Sequence, residues 1–301
     1  MIEHLKYYGQ LLKFRLSCTV VFSSIAGYLI GVTVFNFEEF FLLIAGGFLV
    51  TGSANGFNQI LEKDYDKLMI RTAGRPLPQK NLTSSSAVIF SIIIGIVGFY
   101  FLSLIKPHGS FYGFLSKSSA FGLLSLMIYV LSYTPLKRMS TASIFIGAIP
   151  GAIPVLLGWV AATDDFGLAV GILFAIQFLW QFPHFISIAW IQDDQYKKAG
   201  FKMMYGGKKG PYPATIAFVI SLVMTIVSVL PFFLDLDNLS MSIGSFFVIL
   251  ALGAWFSTKS YRLLSNNNDE SAKKVMLASF VYLPVMQLVY VLDKWIFMWS
   301  F

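Results

Sequence analysis

Glu39-Phe-Phe-Leu-Leu-Ile-Ala-Gly-Gly-Phe-Leu-Val-Thr-Gly-Ser-Ala-Asn55-Gly-Phe-Asn58-Gln-Ile60 carries no charge after its first residue. About 20 such residues cross a ~30 Å hydrocarbon core as a helix. Predominantly apolar runs of similar length recur at 16–36, 86–105, 118–136, 141–161, 167–190, 213–234, 239–258 and 276–298, the last with Asp293 and Lys294 near its end. The fold class that follows is all-α, a polytopic membrane helical bundle of about nine transmembrane helices, in a single domain spanning 1–301. Composition agrees. Charged residues make up 12% of the chain, against about 25% in soluble domains, so most of the chain needs no water-facing surface. Pro150, Pro154 and Pro183 fall inside the runs and read as kinks, because neighbouring helices satisfy the backbone groups they free.

Loop charges give the sidedness. With the N-terminus inside, 19 of the 22 Lys and Arg residues fall on inner segments. Lys106, Lys117 and Lys294 are the exceptions, and the outer turns carry Asp164, Asp165, Asp235 and Asp237. This asymmetry predicts N-inside and C-outside. It also accounts for the net charge of +7 without nucleic acid. One cysteine, Cys18, excludes an intrachain disulfide. The first 15 residues show no cleavable signal and no Arg/Ser-rich transit pattern, so a bacterial inner membrane is expected rather than a mitochondrial one.

Three of the spans that run inward end in polar clusters, and sidedness carries all three to one face. In the first, Asn58-x3-Glu62-x3-Asp66 places three oxygen-bearing side chains along one helical stripe. Met69, Arg71, Thr72, Arg75 and Pro76 follow it. Hard oxygens facing one way suit Mg²⁺, which takes one or two carboxylates plus substrate phosphates. The stripe also reads as a solvated acidic-basic loop. Asn55, Asn58 and Gln59, costly inside lipid, weigh toward function.

The second cluster, Tyr133-Thr-Pro-Leu-Lys137-Arg138, offers cations for phosphate or a propionate, or simple interfacial anchoring. The third is Trp180-Gln-Phe-Pro-His184-Phe185, followed by Asp193, Asp194 and Tyr196. His184 within a span reads as a haem-iron ligand, a proton acceptor, or a neutral histidine bonded to a carbonyl freed by Pro183. Gly206-Gly207-Lys208-Lys209 offers a loop able to close over phosphate. Metal-binding oxygens, cations and an apolar interior at one face point to a diphosphate-headed lipid substrate. A metal would stabilise the departing diphosphate, and an apolar pocket would hold the prenyl tail.

These motifs resemble those of the UbiA superfamily of intramembrane prenyltransferases over nearly the whole chain, from Phe14 through the ninth span. The first motif is superfamily-wide. Tyr133-Thr134-x-Leu136-Lys137-Arg138, Gly147-x3-Gly151-Ala152-x-Pro154, Gly158-Trp159-x-Ala161-x-Thr163 and Trp180-Gln181-Phe182-Pro183-His184-Phe185 are similar to the haem-modifying branch. The resemblance implies that farnesyl diphosphate ionises against Mg²⁺, a haem B vinyl group attacks the allylic cation, and water captures what results, giving haem O.

It implies catalytic roles for Asn58, Glu62, Asp66 and His184, the first three as metal-diphosphate residues. Arg71, Arg75, Lys137, Arg138, Tyr133 and Asp194 become substrate-binding residues. Haem A synthase or a terminal oxidase assembly would take the product. Two positions depart from the superfamily pattern: Glu62 stands where Asp is usual, and the second acidic motif is reduced to Asp193-Asp194 with Gln195 where an acid is common. The competing readings are a prenyltransferase acting on a quinone precursor or other aromatic ring, an ion or proton path, and a haem chaperone. Acids clustered at one end of the spans argue against transport.

Overall fold

The computed structural model describes residues 2–107, 115–234, 236 and 238–298, and the side chains of 5–296 within those ranges. Asp235 and Asp237, expected on an outer turn, lie outside the described residues. Among the described residues the regular elements are helices: α1 Ile2–Leu11, α2 Phe14–Gly31, α3 Phe37–Asp66, α4 Ser84–Ser103, α5 Lys117–Met127 continuing through a π-helical turn into α6 Thr134–Leu136, α7 Ala142–Thr163, α8 Leu168–Ile191, α9 Asp193–Lys198, α10 Pro211–Val229, α11 Ile243–Asn266 and α12 Asp269–Met298. Among the described residues nine helices are long and apolar enough to cross a membrane, with α5 and α6 forming one of them.

The boundaries differ from the expected spans where helices outrun the hydrocarbon. α3 continues through the first polar cluster to Asp66, which places Glu62 and Asp66 on a rigid helix rather than in a loop. The expected inner loop 259–275 shrinks to a two-residue turn, because α11 reaches Asn266 and α12 starts at Asp269. Polar side chains set several starts. Asn36 accepts from the backbone N–H groups of Glu38 and Glu39 to begin α3, and Thr83 and Ser116 do likewise for α4 and α5. At α11, Ser242 caps the helix while its own backbone N–H and hydroxyl donate to buried Asp293 of α12.

Helices pack in chain order, α2 on α3, α3 on α4, α4 on α5 and so on, until α12 returns to α2 and closes the bundle. α7 is the centre. It touches α2, α3, α5 and α8, and 78% of its most apolar stretch is buried, against 22% for the lipid-facing α4. The α2–α7 crossing is tight for a stated reason. A Cβ on Gly27 would stand 2.1 Å from the Val155 carbonyl oxygen, and one on Gly158 only 1.9 Å from that of Ser24. Small residues at a crossing let dispersion act between backbones where lipid removes the hydrophobic drive.

One of the internal prolines is compensated as expected, by a neighbouring helix. Pro154 cannot donate to the Pro150 carbonyl, and the Ser125 hydroxyl of α5 does so instead at 3.3 Å. Pro135 likewise leaves Leu131 without its helical donor. The chain widens into the π-helical turn Ile128–Tyr133 one step before it. Thr134 closes that turn by donating its hydroxyl to the Tyr129 carbonyl.

Candidate active site at one end of the bundle

The stripe Asn58, Glu62 and Asp66 is buried along its whole length. Each member meets one cation, and each cation comes from a different segment. Lys13 Nζ donates to Asn58 Oδ1 at 2.9 Å, Lys137 Nζ to Glu62 Oε1 at 2.7 Å, and Arg75 Nη1 to Asp66 Oδ2 at 2.7 Å. Helical spacing aligns the oxygens, and the α1–α2 elbow, the end of α6 and the α3–α4 loop supply the partners.

Asp66 Oδ1 is buried with no hydrogen-bond partner. Such an atom is expensive unless a ligand completes it. Thr72 donates to the Asp66 backbone carbonyl, folding the loop back so that Arg75 returns to the helix end. Lys137 lies just beyond its span. Although its burial disfavours the ammonium, Glu62 holds its pKa above the usual lysine value. Lys13 is pulled the other way. Loss of water, then Arg75 and Lys137 nearby, lower it to about 7.

The three expected clusters do come together. Asn58 Nδ2 donates to Thr134 Oγ1, joining the first to the second. The backbone N–H of Lys202 donates to the Lys137 carbonyl at 2.6 Å, and Tyr133 and Phe185 have ring centroids 6.5 Å apart, joining the second to the third. Gln195, the departure in the second acidic motif, accepts from the Ile70 N–H at 2.9 Å and ties α9 to the α3–α4 loop. Tyr133 is buried beside Lys137. Lys137 Nζ lies 4.5 Å from its ring centroid. The ring enters a space that a Cβ on Gly147 would fill, 2.5 Å from Cδ2.

Other expected residues stand apart. Arg138 stacks on Tyr65, 4.1 Å from the ring centroid, and donates to its hydroxyl. Arg71 is exposed, and among the described residues it forms no ion pair with the stripe. Asp194 is exposed, whereas Asp193 is buried and pairs with Lys197 at 2.6 Å. Lys209 pairs with Asp269 at 2.7 Å, so the Gly206–Lys209 loop is anchored to α12.

His184 is buried in an aromatic layer. It stacks on Trp180 at 4.6 Å and meets Phe280 edge-on at 5.2 Å. Its Nδ1 lies 2.8 Å from the Ser279 hydroxyl, which itself donates to the Met276 carbonyl at 2.6 Å. One hydroxyl proton cannot serve both, so Nδ1 carries the proton and donates to Ser279, leaving the Nε2 lone pair free. The partner is therefore a serine of α12, in place of the carbonyl freed by Pro183.

Lys13 escaped the sequence reading, which counted it only among inner-loop charges. A lysine one residue before an apolar span looks like an ordinary interfacial anchor. Nothing in the sequence brings it to Asn58, 45 positions away.

A family model described as the UbiA prenyltransferase family matches residues 20–283. The protoheme IX farnesyltransferase of Flavobacterium psychrophilum is 41% identical over 292 residues, covering 96% of this chain and 94% of that protein. Among solved structures, a digeranylgeranylglyceryl phosphate synthase superposes with a TM-score of 0.79 at 23% identity, covering 97% of this chain and 99% of the other. A UbiA homolog from Archaeoglobus fulgidus bound to GPP and Mg²⁺ gives a TM-score of 0.66 at 14% identity, covering 95% of this chain and 99% of that one. At those identities the structures speak for the fold.

Proposed function

We propose, from the premise that this chain belongs to the UbiA prenyltransferase family, that it transfers the farnesyl group of farnesyl diphosphate to a vinyl group of haem B. The C–O bond to diphosphate breaks with its electron pair leaving on diphosphate, and a C–C bond forms to the vinyl carbon. Water then adds and loses a proton, leaving the hydroxyethylfarnesyl side chain of haem O. The name of the Flavobacterium relative supports the choice of substrates.

The observation that carries the reading is the pairing of the α3 stripe with three cations at one end of an apolar bundle. Buried carboxylates set beside cations suit a metal and a polyanion bound together. The residues fit Mg²⁺. Asn58, Glu62 and Asp66 are hard oxygen donors on one stripe, and Asp66 Oδ1 lacks a partner. Among the described residues no three His, Cys, Asp or Glu side chains converge, so substrate phosphates and water would complete the shell. Bound there, Mg²⁺ would neutralise charge on the departing diphosphate.

Lys137 and Arg75, freed from their carboxylates, turn to the phosphates. Tyr133, buried beside Lys137, would stand against the prenyl tail and shield the allylic cation from water. Arg138 and Arg71, exposed at the same end, receive the haem propionates, and Asp194 stands at the rim. His184 presents Nε2 to the haem side, to iron or to a proton. The inner-loop excess of Lys and Arg supports placing the site on the cytoplasmic face of a bacterial inner membrane, N-terminus inside and C-terminus outside. Haem A synthase or a terminal oxidase assembly would receive the product.

The test is to incubate the purified protein with haem B, farnesyl diphosphate and Mg²⁺ and to weigh the porphyrin product. A mass gain of one farnesyl group plus one hydroxyl group is expected. Unmodified haem B beside prenylation of a quinone precursor would replace this reading by the aromatic-ring alternative.

A further inference from the structure

We propose that the elbow between α1 and α2 is a diphosphate-binding element, and that Lys13 is a substrate-binding residue of this site. The inference deepens the reading above and rests on it. Three observations carry it.

The first is a missing counter-charge. Arg75 and Lys137 each meet a carboxylate, whereas the half-buried Lys13 meets only the neutral amide oxygen of Asn58. Among the described residues no carboxylate pairs with it, so with Lys13 protonated this set holds one more cation than anions. An ammonium drawn from water without an anion is costly, and two of its three N–H donors are unspent. A polyanion arriving between Lys13, Lys137 and Arg75 meets all three.

The second is the manner in which the elbow is held. α1 ends at Leu11, leaving backbone carbonyls without helical donors. Two side chains of α3 take them. Gln59 Nε2 donates to the carbonyls of Gln10 and Leu11 at 3.2 and 2.7 Å, and Asn55 Nδ2 to that of Leu12 at 3.3 Å. Asn55 also reaches the Ser17 hydroxyl at 3.2 Å. The polar residues that seemed out of place in the second span therefore tie the elbow to the helix that carries the stripe.

The third is local strain. Lys13 sits at φ 48°, ψ 55°, a left-handed conformation uncommon for a residue with a Cβ. It persists because its neighbours over-determine it, and it aims the side chain at Asn58. The same elbow made with a slack turn would leave the ammonium free to snorkel outward.

The test titrates inorganic diphosphate with Mg²⁺ into the purified full chain by calorimetry, comparing wild type with Lys13→Met and Lys13→Arg. Haem B binding, read by absorbance, and thermal unfolding report on the fold. Lys13→Met should lose about tenfold or more in diphosphate affinity, as expected for one charge-assisted bond, with haem binding unchanged. Lys13→Arg should recover part of the loss. In wild type, Mg²⁺ and diphosphate together should protect Lys13 from acylation. Equal affinity in wild type and Lys13→Met overturns the inference alone. So does an equal loss in both variants with a lowered unfolding temperature, which makes the elbow merely structural. Absence of diphosphate binding by the wild type overturns this inference together with the reading beneath it.

Discussion

Glu62 Oε1 and Lys137 Nζ, 75 residues apart in the chain, form a 2.7 Å ion pair whose side chains are 7% and 12% exposed. It joins α3 to the end of α6. Removing one partner leaves the other charge stranded, which costs about 3 kcal/mol at well-buried sites. Lys137→Met should therefore lower the unfolding temperature in detergent, and Glu62→Gln in the same chain should recover part of it. A coupling energy of at least about 1 kcal/mol in the double-mutant cycle is expected. Additive effects would show that the two side chains are neighbours without mutual dependence.

Asp66→Asn keeps the shape of the side chain and removes the charge that faces Arg75. We expect a loss of about 10²-fold or more in turnover, read as diphosphate release at saturating Mg²⁺, with haem B binding intact. Turnover close to wild type would assign Asp66 to the folding of the α3–α4 loop alone.

Ser279 holds the protonated Nδ1 of His184. Ser279→Ala frees the tautomer, and orienting partners of this kind are worth about 10- to 100-fold in affinity at a ligating histidine. Haem B affinity, read from its absorbance band, should fall by about tenfold, while binding of Mg²⁺ with inorganic diphosphate stays constant. His184→Ala should do more in the same direction. An equal fall in both ligands would mark a disturbed α8–α12 contact.

Gly158→Leu forces α2 and α7 apart, because even a Cβ would stand 1.9 Å from the Ser24 carbonyl oxygen. The expected result is a poorly folded protein, read as aggregation on size-exclusion chromatography, with Gly171→Ala as a tolerated control where nothing lies within 4 Å.

Sidedness is open to chemical labelling. In a Cys18→Ala background, a thiol from Asn268→Cys should react with a membrane-impermeant maleimide only from the cytoplasmic side, and one from Asp165→Cys only from outside. The opposite pattern would invert the assignment drawn from loop charges.

Much of this was legible in the residues. Uncharged runs of about 20 residues have one stable solution in a bilayer, so nine helices followed from hydropathy. The spacing of Asn58, Glu62 and Asp66 put their oxygens on one stripe because a helix repeats every 3.6 residues. Local chemistry of this kind needs no knowledge of the rest of the chain.

What tertiary structure decided was which cation faces which oxygen. Lys13, Arg75 and Lys137 lie 45 residues before Asn58, 9 after Asp66 and 75 after Glu62. No periodicity relates them. Their meeting depends on how α1, α3 and α6 pack and on where a loop turns back. The same holds for Ser279, which settles the tautomer of His184 from 95 residues away. The sequence by itself determined a membrane bundle with an acidic stripe at one end. Packing chose the partners of that stripe, and so turned an interfacial lysine into part of the site, because contact between distant segments is set by helix crossings that no local pattern encodes.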